Sequence, residues 1–306
     1  MVNGIMNDLI KEYLTSRPQA VIEESPYIVQ GTNSAVYKGL WMHKPAMFKF
    51  SIRNSAQREA DALNDYFNIG CVPELYDVYK DLVLVTEFID GESLLPENIN
   101  HDNSEKLCSK FILFINYSLR DVGSNFNYIS SFRRSLEELL ESNPNHFQEN
   151  HFKQSIELIF KNWEFISQQS GALYYDDIGG SNVIYTGDKI QFIDFESVWP
   201  GNSTLQIGTI IANYTQHNLN PVNKMLITLC RSACSFVPTN FEAWLSAAYL
   251  KWWVRICYFH RWNYWETRKN LRYESEEELK RIEHFGRKIK SIKSFADNFT
   301  LDIDHS

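Results

Sequence analysis

The sequence predicts an α+β chain, β-rich with one main helix in its first third and mostly helical beyond, forming one large domain or two lobes. Three patterns predict it. Short apolar runs separated by turn residues occupy much of residues 26–89, and helical spacing enters that region only at 55–67. From residue 104 onward apolar residues recur at helical intervals, and one strand-turn-strand stretch at 182–193 interrupts them. With 306 residues, 44% of them hydrophobic and 14% aromatic, the chain has material for a substantial core and is too apolar for disorder.

The opening MVNGIMNDLIKEYLTSRPQ reads as a short amphipathic helix and lacks the apolar centre of a secretion signal. Residues 26–38 read as strand, tight turn around Gly31, and strand; residues 46–50 read as a third strand carrying Lys49 between apolar neighbours. Ala56, Ala60, Leu63 and Phe67 repeat at helical spacing around Glu59, and apolar runs follow at 72–79 and 82–89. Farther along, Leu107, Phe111, Phe114 and Leu119, then Ile156, Ile159, Phe160 and Trp163, mark helices.

Chemistry concentrates in residues 173–196, LYYDDIGGSNVIYTGDKIQFIDFE. Asp177, Asn182 and Asp194 are three oxygen-bearing side chains at the spacing a phosphoryl-transfer site requires. Such a reaction needs positioning and charge neutralisation more than covalent help. Asp177 would orient the attacking hydroxyl, Asn182 would hold Mg²⁺ through its amide oxygen, and Asp194 would bridge metal and phosphates. A hairpin turning at Thr186, Gly187 and Asp188 brings Asn182 and Asp194 close despite their separation in sequence.

This segment resembles the catalytic motif of the aminoglycoside phosphotransferase and choline kinase superfamily, H-x-D-x-x-x-x-N followed by I-D-[FW]-E. Here Tyr175-Asp176-Asp177, Asn182 and Ile193-Asp194-Phe195-Glu196 stand in those places. Tyr175 replaces the family's His, and its ring and hydroxyl suit the same supporting task. Asp176 lies six residues before Asn182 rather than five, which assigns the base to Asp177. The resemblance implies a bilobal protein kinase-like fold, a small β-rich nucleotide-binding lobe at residues 1–90, with 1–24 as a leading helix, and a larger, mostly helical catalytic and substrate-binding lobe at 91–306. It also implies a phosphate loop at Gly31, Thr32, Asn33 and Ser34, where glycine lets backbone amides approach phosphate oxygens. Lys49 is then the lysine that pairs with the α and β phosphates, Glu59 its partner, and Glu87, Phe88 and Ile89 the hinge whose backbone reads adenine. ATP and Mg²⁺ are the implied cofactors.

No activation segment of the protein-kinase type follows Asp194, which moves the acceptor toward a small-molecule hydroxyl. Two alternatives stay open: an atypical protein kinase, and a weakly active nucleotide-binding scaffold. The net charge of −8 argues against a nucleic-acid partner and suits a cationic substrate. Choline kinases hold a quaternary ammonium among aromatic rings, and residues 243–265 carry Trp244, Trp252, Trp253, Trp262 and Trp265. Tyr249, Trp252, Ile256 and Phe259 fall at helical spacing and are expected in the core, with Trp253 and Trp262 facing a cleft. The basic run at 287–293 is expected to be a solvated helical face. Five cysteines without paired spacing, no membrane span and no signal segment lead to the expectation of a reduced, cytoplasmic protein.

Overall fold

The computed structural model describes residues 2–30, 34–52, 54–118, 130–142, 149–167, 172–215, 220–237, 240–270 and 276–304; side chains are described for most of these. In chain order the N-terminal elements are α1 (Val2–Ser16), β1 (Ala20–Ile22), β2 (Ile28–Gln30), β3 (Ser34–Trp41), β4 (Lys44–Ser51), α2 (Ala56–Tyr66), β5 (Leu75–Tyr79), β6 (Val83–Glu87) and β7 (Glu92–Ser93). Then follow α3 (His101–Ser118), α4 (Ser130–Ser142), α5 (Asn150–Lys161), α6 (Trp163–Ser167), β8 (Ala172–Tyr175), β9 (Val183–Tyr185), β10 (Ile190–Phe192) and β11 (Val198–Gly201). The chain closes with α7 (Ser203–Tyr214), α8 (Asn220–Ala233), α9 (Phe241–Asn270) and α10 (Glu276–Asp304). It divides into two compact units, Met1–Ser93 with Ser181–Val198, and Leu94–Gly180 with Trp199–Ser306. The β9–β10 hairpin thus packs with the first unit, although it follows four helices of the second.

The first unit is built on an antiparallel sheet in the order β1-β3-β4-β6-β5, with β2 also paired to β3. Its tight hairpin between β3 and β4 places Met42 and His43 at φ of 47° and 68°, the positive values that a two-residue turn needs to match strand twist. Helix α1 presents Met6, Leu9 and Tyr13 at helical spacing to Phe48, Phe50, Val83 and Val85 of this sheet. Tyr13 is wholly buried, its ring edge-on to Phe50 at 5.7 Å, and its hydroxyl donates to Asp77 at 3.2 Å beside the Arg17–Asp77 ion pair at 2.9 Å. A second sheet, β10-β9-β7, carries the hairpin expected at 182–193, with Gly187 at φ +94° in its turn.

In the second unit α7 is buried along its length and packs against α9. A Cβ at Gly208 would lie 2.4 Å from the Ala247 Cβ, so only glycine allows this approach. Asn202 caps α7, accepting from Leu205 N at 2.8 Å while donating to Ile166 O at 2.8 Å.

Two expectations fail here. Trp253 faces no cleft: it is fully buried, edge-on to Phe152 at 5.7 Å, and its Nε1 donates to Ser155 Oγ at 2.9 Å. Helix α9 is covered by α5, α7 and α10, so rings off the expected stripe are core as well. The run at 287–293 is no uniformly solvated face, because Ile289 and Ile292 are buried and Lys288 is half-buried on the Trp252 ring. The side chains of Trp262 and Trp265, and all of Leu119, lie outside the described residues. Cys71, Cys108, Cys230 and Cys257 are buried free thiols and Cys234 is an exposed one. No described helix is long and apolar enough to cross a membrane.

Candidate active site

Strand β4 holds Lys49 in the middle of the first sheet, opposite Val36 on β3 and Leu84 on β6. Its ammonium lies 3.0 Å from Glu59 on α2, 2.5 Å from Asp194 Oδ1 and 2.9 Å from Glu196 Oε2. Burial works against the charge on Lys49, yet the carboxylates of Glu59, Asp194 and Glu196 outweigh it and hold the ammonium above the usual lysine range. Glu59 is 3% exposed, and burial pushes its carboxyl up against the pull of Lys49. Three carboxylates share one ammonium, so the cluster carries an excess of negative charge that a second cation would neutralise.

Asp194 sits in the left-handed region at φ 64° and ψ 60°, a conformation costing an ordinary residue about 1–2 kcal/mol. Surrounding contacts hold it there: Ile193 N donates to Asn182 O at 3.0 Å, Tyr66 lies over Phe195 at 5.7 Å, and Arg58 donates to Glu196 O at 2.8 Å. Asn182, buried at the head of β9, is thus tied to the residue preceding Asp194. Oxygen atoms of Glu59, Asp194 and Glu196 all fall within 4.8 Å of one another, a donor set suited to a hard divalent cation. Glu196 had no role in the sequence reading. Its signal was its place two residues beyond Asp194 in the same motif.

At the expected hinge, Glu87 N is taken by Glu74 O at 2.8 Å and Phe88 N by Pro45 O at 3.2 Å. The Ile89 amide has no such partner among the described residues. The Lys38 ammonium lies 4.5 Å from the Phe88 ring centroid and 4.0 Å from that of Tyr27, the two rings meeting edge-on. Ser34 opens β3, opposite Ser51; Gly31, Thr32 and Asn33 lie outside the described residues.

In the second unit the turn after β8 carries the two candidate bases, and their environments separate them. Asp177 is exposed. Asp176 accepts from the Tyr174 hydroxyl at 2.5 Å and pairs with Lys251 at 3.4 Å and Arg255 at 3.6 Å. Burial alone would raise the Asp176 carboxyl; Lys251, Tyr174 and Arg255 overcome it and hold the group below its usual range. Asp176 is therefore an anchor, and the neighbouring Asp177 side chain is exposed. Tyr175 is fully buried, its backbone N donating to Gln206 Oε1 at 2.8 Å, so it supports the loop from within. A Cβ at Gly180 would lie 2.6 Å from Leu94 O, which reserves that position for glycine.

The sequence matches no protein-family model and no curated protein. Solved structures do match. A complex of an aminoglycoside 2'-phosphotransferase-IIIa mutant with GDP aligns at a TM-score of 0.65 and 12% identity over 96% of this chain and 98% of that one. The choline kinase LicA from Streptococcus pneumoniae aligns at 0.61 and 13% identity, over 94% and 99%. Amicoumacin kinase hAmiN, in complex with AMP-PNP, Ca²⁺ and Ami, aligns at 0.62 and 13%, over 94% and 93%. The chain has the kinase-like α+β fold of these small-molecule phosphotransferases.

Proposed function

We propose that the chain is an ATP- and Mg²⁺-dependent O-phosphotransferase that moves the γ-phosphate to a hydroxyl of a small molecule. The observation that carries the reading is the convergence of Lys49, Glu59 and Asp194 on one buried point, from strand, helix and hairpin. Lys49 binds the α and β phosphates and Glu59 keeps its ammonium in place. Asn182 and Asp194, with Glu196 beside them, hold Mg²⁺, which supplies charge neutralisation at the phosphates. The Ile89 amide, with backbone carbonyls of the hinge, reads the base, and Ser34 begins the strand that leaves the phosphate loop. Asp177 orients the acceptor hydroxyl and takes up its proton as the oxygen attacks. The similar structures, bound to GDP or to AMP-PNP with Ca²⁺, support a nucleotide and a divalent cation here. The free buried thiols support action in a reducing compartment such as the cytoplasm.

The test is Mg²⁺-dependent transfer from ATP to a panel of alcohols and generic protein, alongside nucleotide binding. Asp177→Ala should lower transfer by about 10²–10⁴-fold while ATP affinity stays within about twofold. Parallel loss of transfer and nucleotide binding would remove the acceptor role from Asp177, and labelling of protein alone would favour a protein kinase.

A further inference from the structure

Positive charge gathers in the second unit where the phosphoryl-transfer reading makes no use of it. Lys251 and Arg255 lie one turn apart on α9, and both address Asp176. Lys251 Nζ donates to the Asp176 carbonyl and lies 3.4 Å from its Oδ1, while Arg255 Nη2 is 3.6 Å from Oδ2. From α10, Lys288 places its ammonium 4.0 Å from the centroid of the Trp252 ring, with Lys251 5.8 Å from the same centroid. Among the described residues Asp176 is the carboxylate that pairs with Lys251 and Arg255, so two cations share it while Lys288 lies on the Trp252 ring.

Asp176 does not need both, because the Tyr174 hydroxyl and Lys251 already satisfy it. Lys288 has no carboxylate partner among the described residues. Burial, and then Lys251 and Arg255, push its ammonium down to about 8. His284, one turn earlier, is also held low by burial, Lys288 and Arg287, so it does not offset the charge. The indole adds an independent sign. Trp252 is 5% exposed and its Nε1–H is buried without an acceptor, a condition folded proteins avoid. A cation without a counterion and a donor without an acceptor thus meet at one ring, and an oxyanion relieves both.

We propose that Lys288, Arg255 and the Trp252 N–H form a subsite for a carboxylate or phosphate group of the acceptor, making the substrate a hydroxy acid or a phosphorylated alcohol. Lys251 is a positioning residue that ties this subsite to the loop bearing Asp177. Asp176, which Arg255 faces, and Asp177 are neighbours in the chain, with Cα atoms about 3.8 Å apart. The inference rests on the phosphotransferase reading and replaces the cationic substrate suggested by net charge. The local charge around Asp176 has the opposite sign to the chain as a whole.

The experiment compares acceptor pairs that differ by one acidic group, serine with ethanolamine, glycerate with glycerol, and gluconate with glucose, at saturating ATP and Mg²⁺. In at least one pair the acid should be preferred about tenfold or more in kcat/KM, and Lys288→Met or Arg255→Gln should lower that preference about tenfold, mainly through KM. Preference for the neutral or cationic member in every pair, or a preference untouched by both variants, overturns the subsite. Calorimetry with glycerate and with glycerol phosphate, without nucleotide, separates carboxylate from phosphate recognition. Binding lost in Lys288→Met without transfer to any acceptor would leave the subsite standing and remove the phosphotransferase reading. Transfer to amino alcohols without anion binding would do the reverse. Methionine keeps an apolar chain on the indole, and an unchanged circular dichroism spectrum confirms that Lys288→Met is folded.

Discussion

Replacing Lys49 by methionine removes the ammonium that Glu59, Asp194 and Glu196 share and leaves their carboxylates facing one another. Breaking a buried ion pair by deleting one partner costs about 3–5 kcal/mol, chiefly because a charge stays buried and unpaired. Lys49→Met should therefore lower the free energy of urea unfolding by that order, and adding Glu59→Gln should restore about half of the loss. If the double variant were no more stable than Lys49→Met, Glu59 would not be the charge that Lys49 neutralises. Asp176 allows a test by pH. Its carboxyl is held below the ordinary value of 3.8, so its ionised form stabilises the fold above that pH, and the contribution is lost as pH falls through the depressed value. Asp176→Asn should thus lose stability relative to the parent at neutral pH, and the gap should close below pH 3.8. A gap independent of pH would mean that the asparagine disturbs packing rather than charge.

Elements decide which residues could be read from the chain alone. The hairpin β9–β10 and the strand carrying Lys49 were legible because period-two alternation and a motif of fixed spacing both lie within short stretches. Glu196 was less so, since its carboxylate joins Lys49 only after α2 grips the turn at Phe195–Ser197. Helix α9 defeated periodicity for a physical reason. Apolar residues surround it, no single polar face marks the solvent side, and the burial of Trp253 depends on Phe152 and Ser155 of α5. Lys288 likewise has its role from Trp252 across a helix pair that no local pattern encodes. The packing that orders α9 has its own test at Gly208, where an added Cβ meets Ala247 at 2.4 Å and the Ala248 backbone at 2.7 Å. Gly208→Ala should cost about 1–3 kcal/mol by overpacking, read as a lower urea midpoint with an unchanged slope. Wild-type stability would show that α7 and α9 do not approach this closely.

At the scale of the molecule, the chain carries a net charge of −8 while Lys251, Arg255 and Lys288 make one region of the second unit positive. An acidic acceptor therefore meets two fields of opposite sign, and their ranges differ. Screening acts over about 30 Å at 0.01 M ionic strength and about 8 Å at 0.15 M, so the distributed negative charge is felt at a distance only in dilute salt. The partly buried cations act at contact, where mobile ions screen them much less. Raising ionic strength from about 0.01 to 0.15 M should then increase kcat/KM for an acidic acceptor, by removing repulsion faster than it weakens the local attraction. A cationic acceptor steered by the global charge should lose kcat/KM over the same range. Measured at saturating ATP and Mg²⁺ so that nucleotide binding drops out, a fall in kcat/KM for glycerate or gluconate would mean that long-range attraction guides the acceptor, contrary to the sign of the chain.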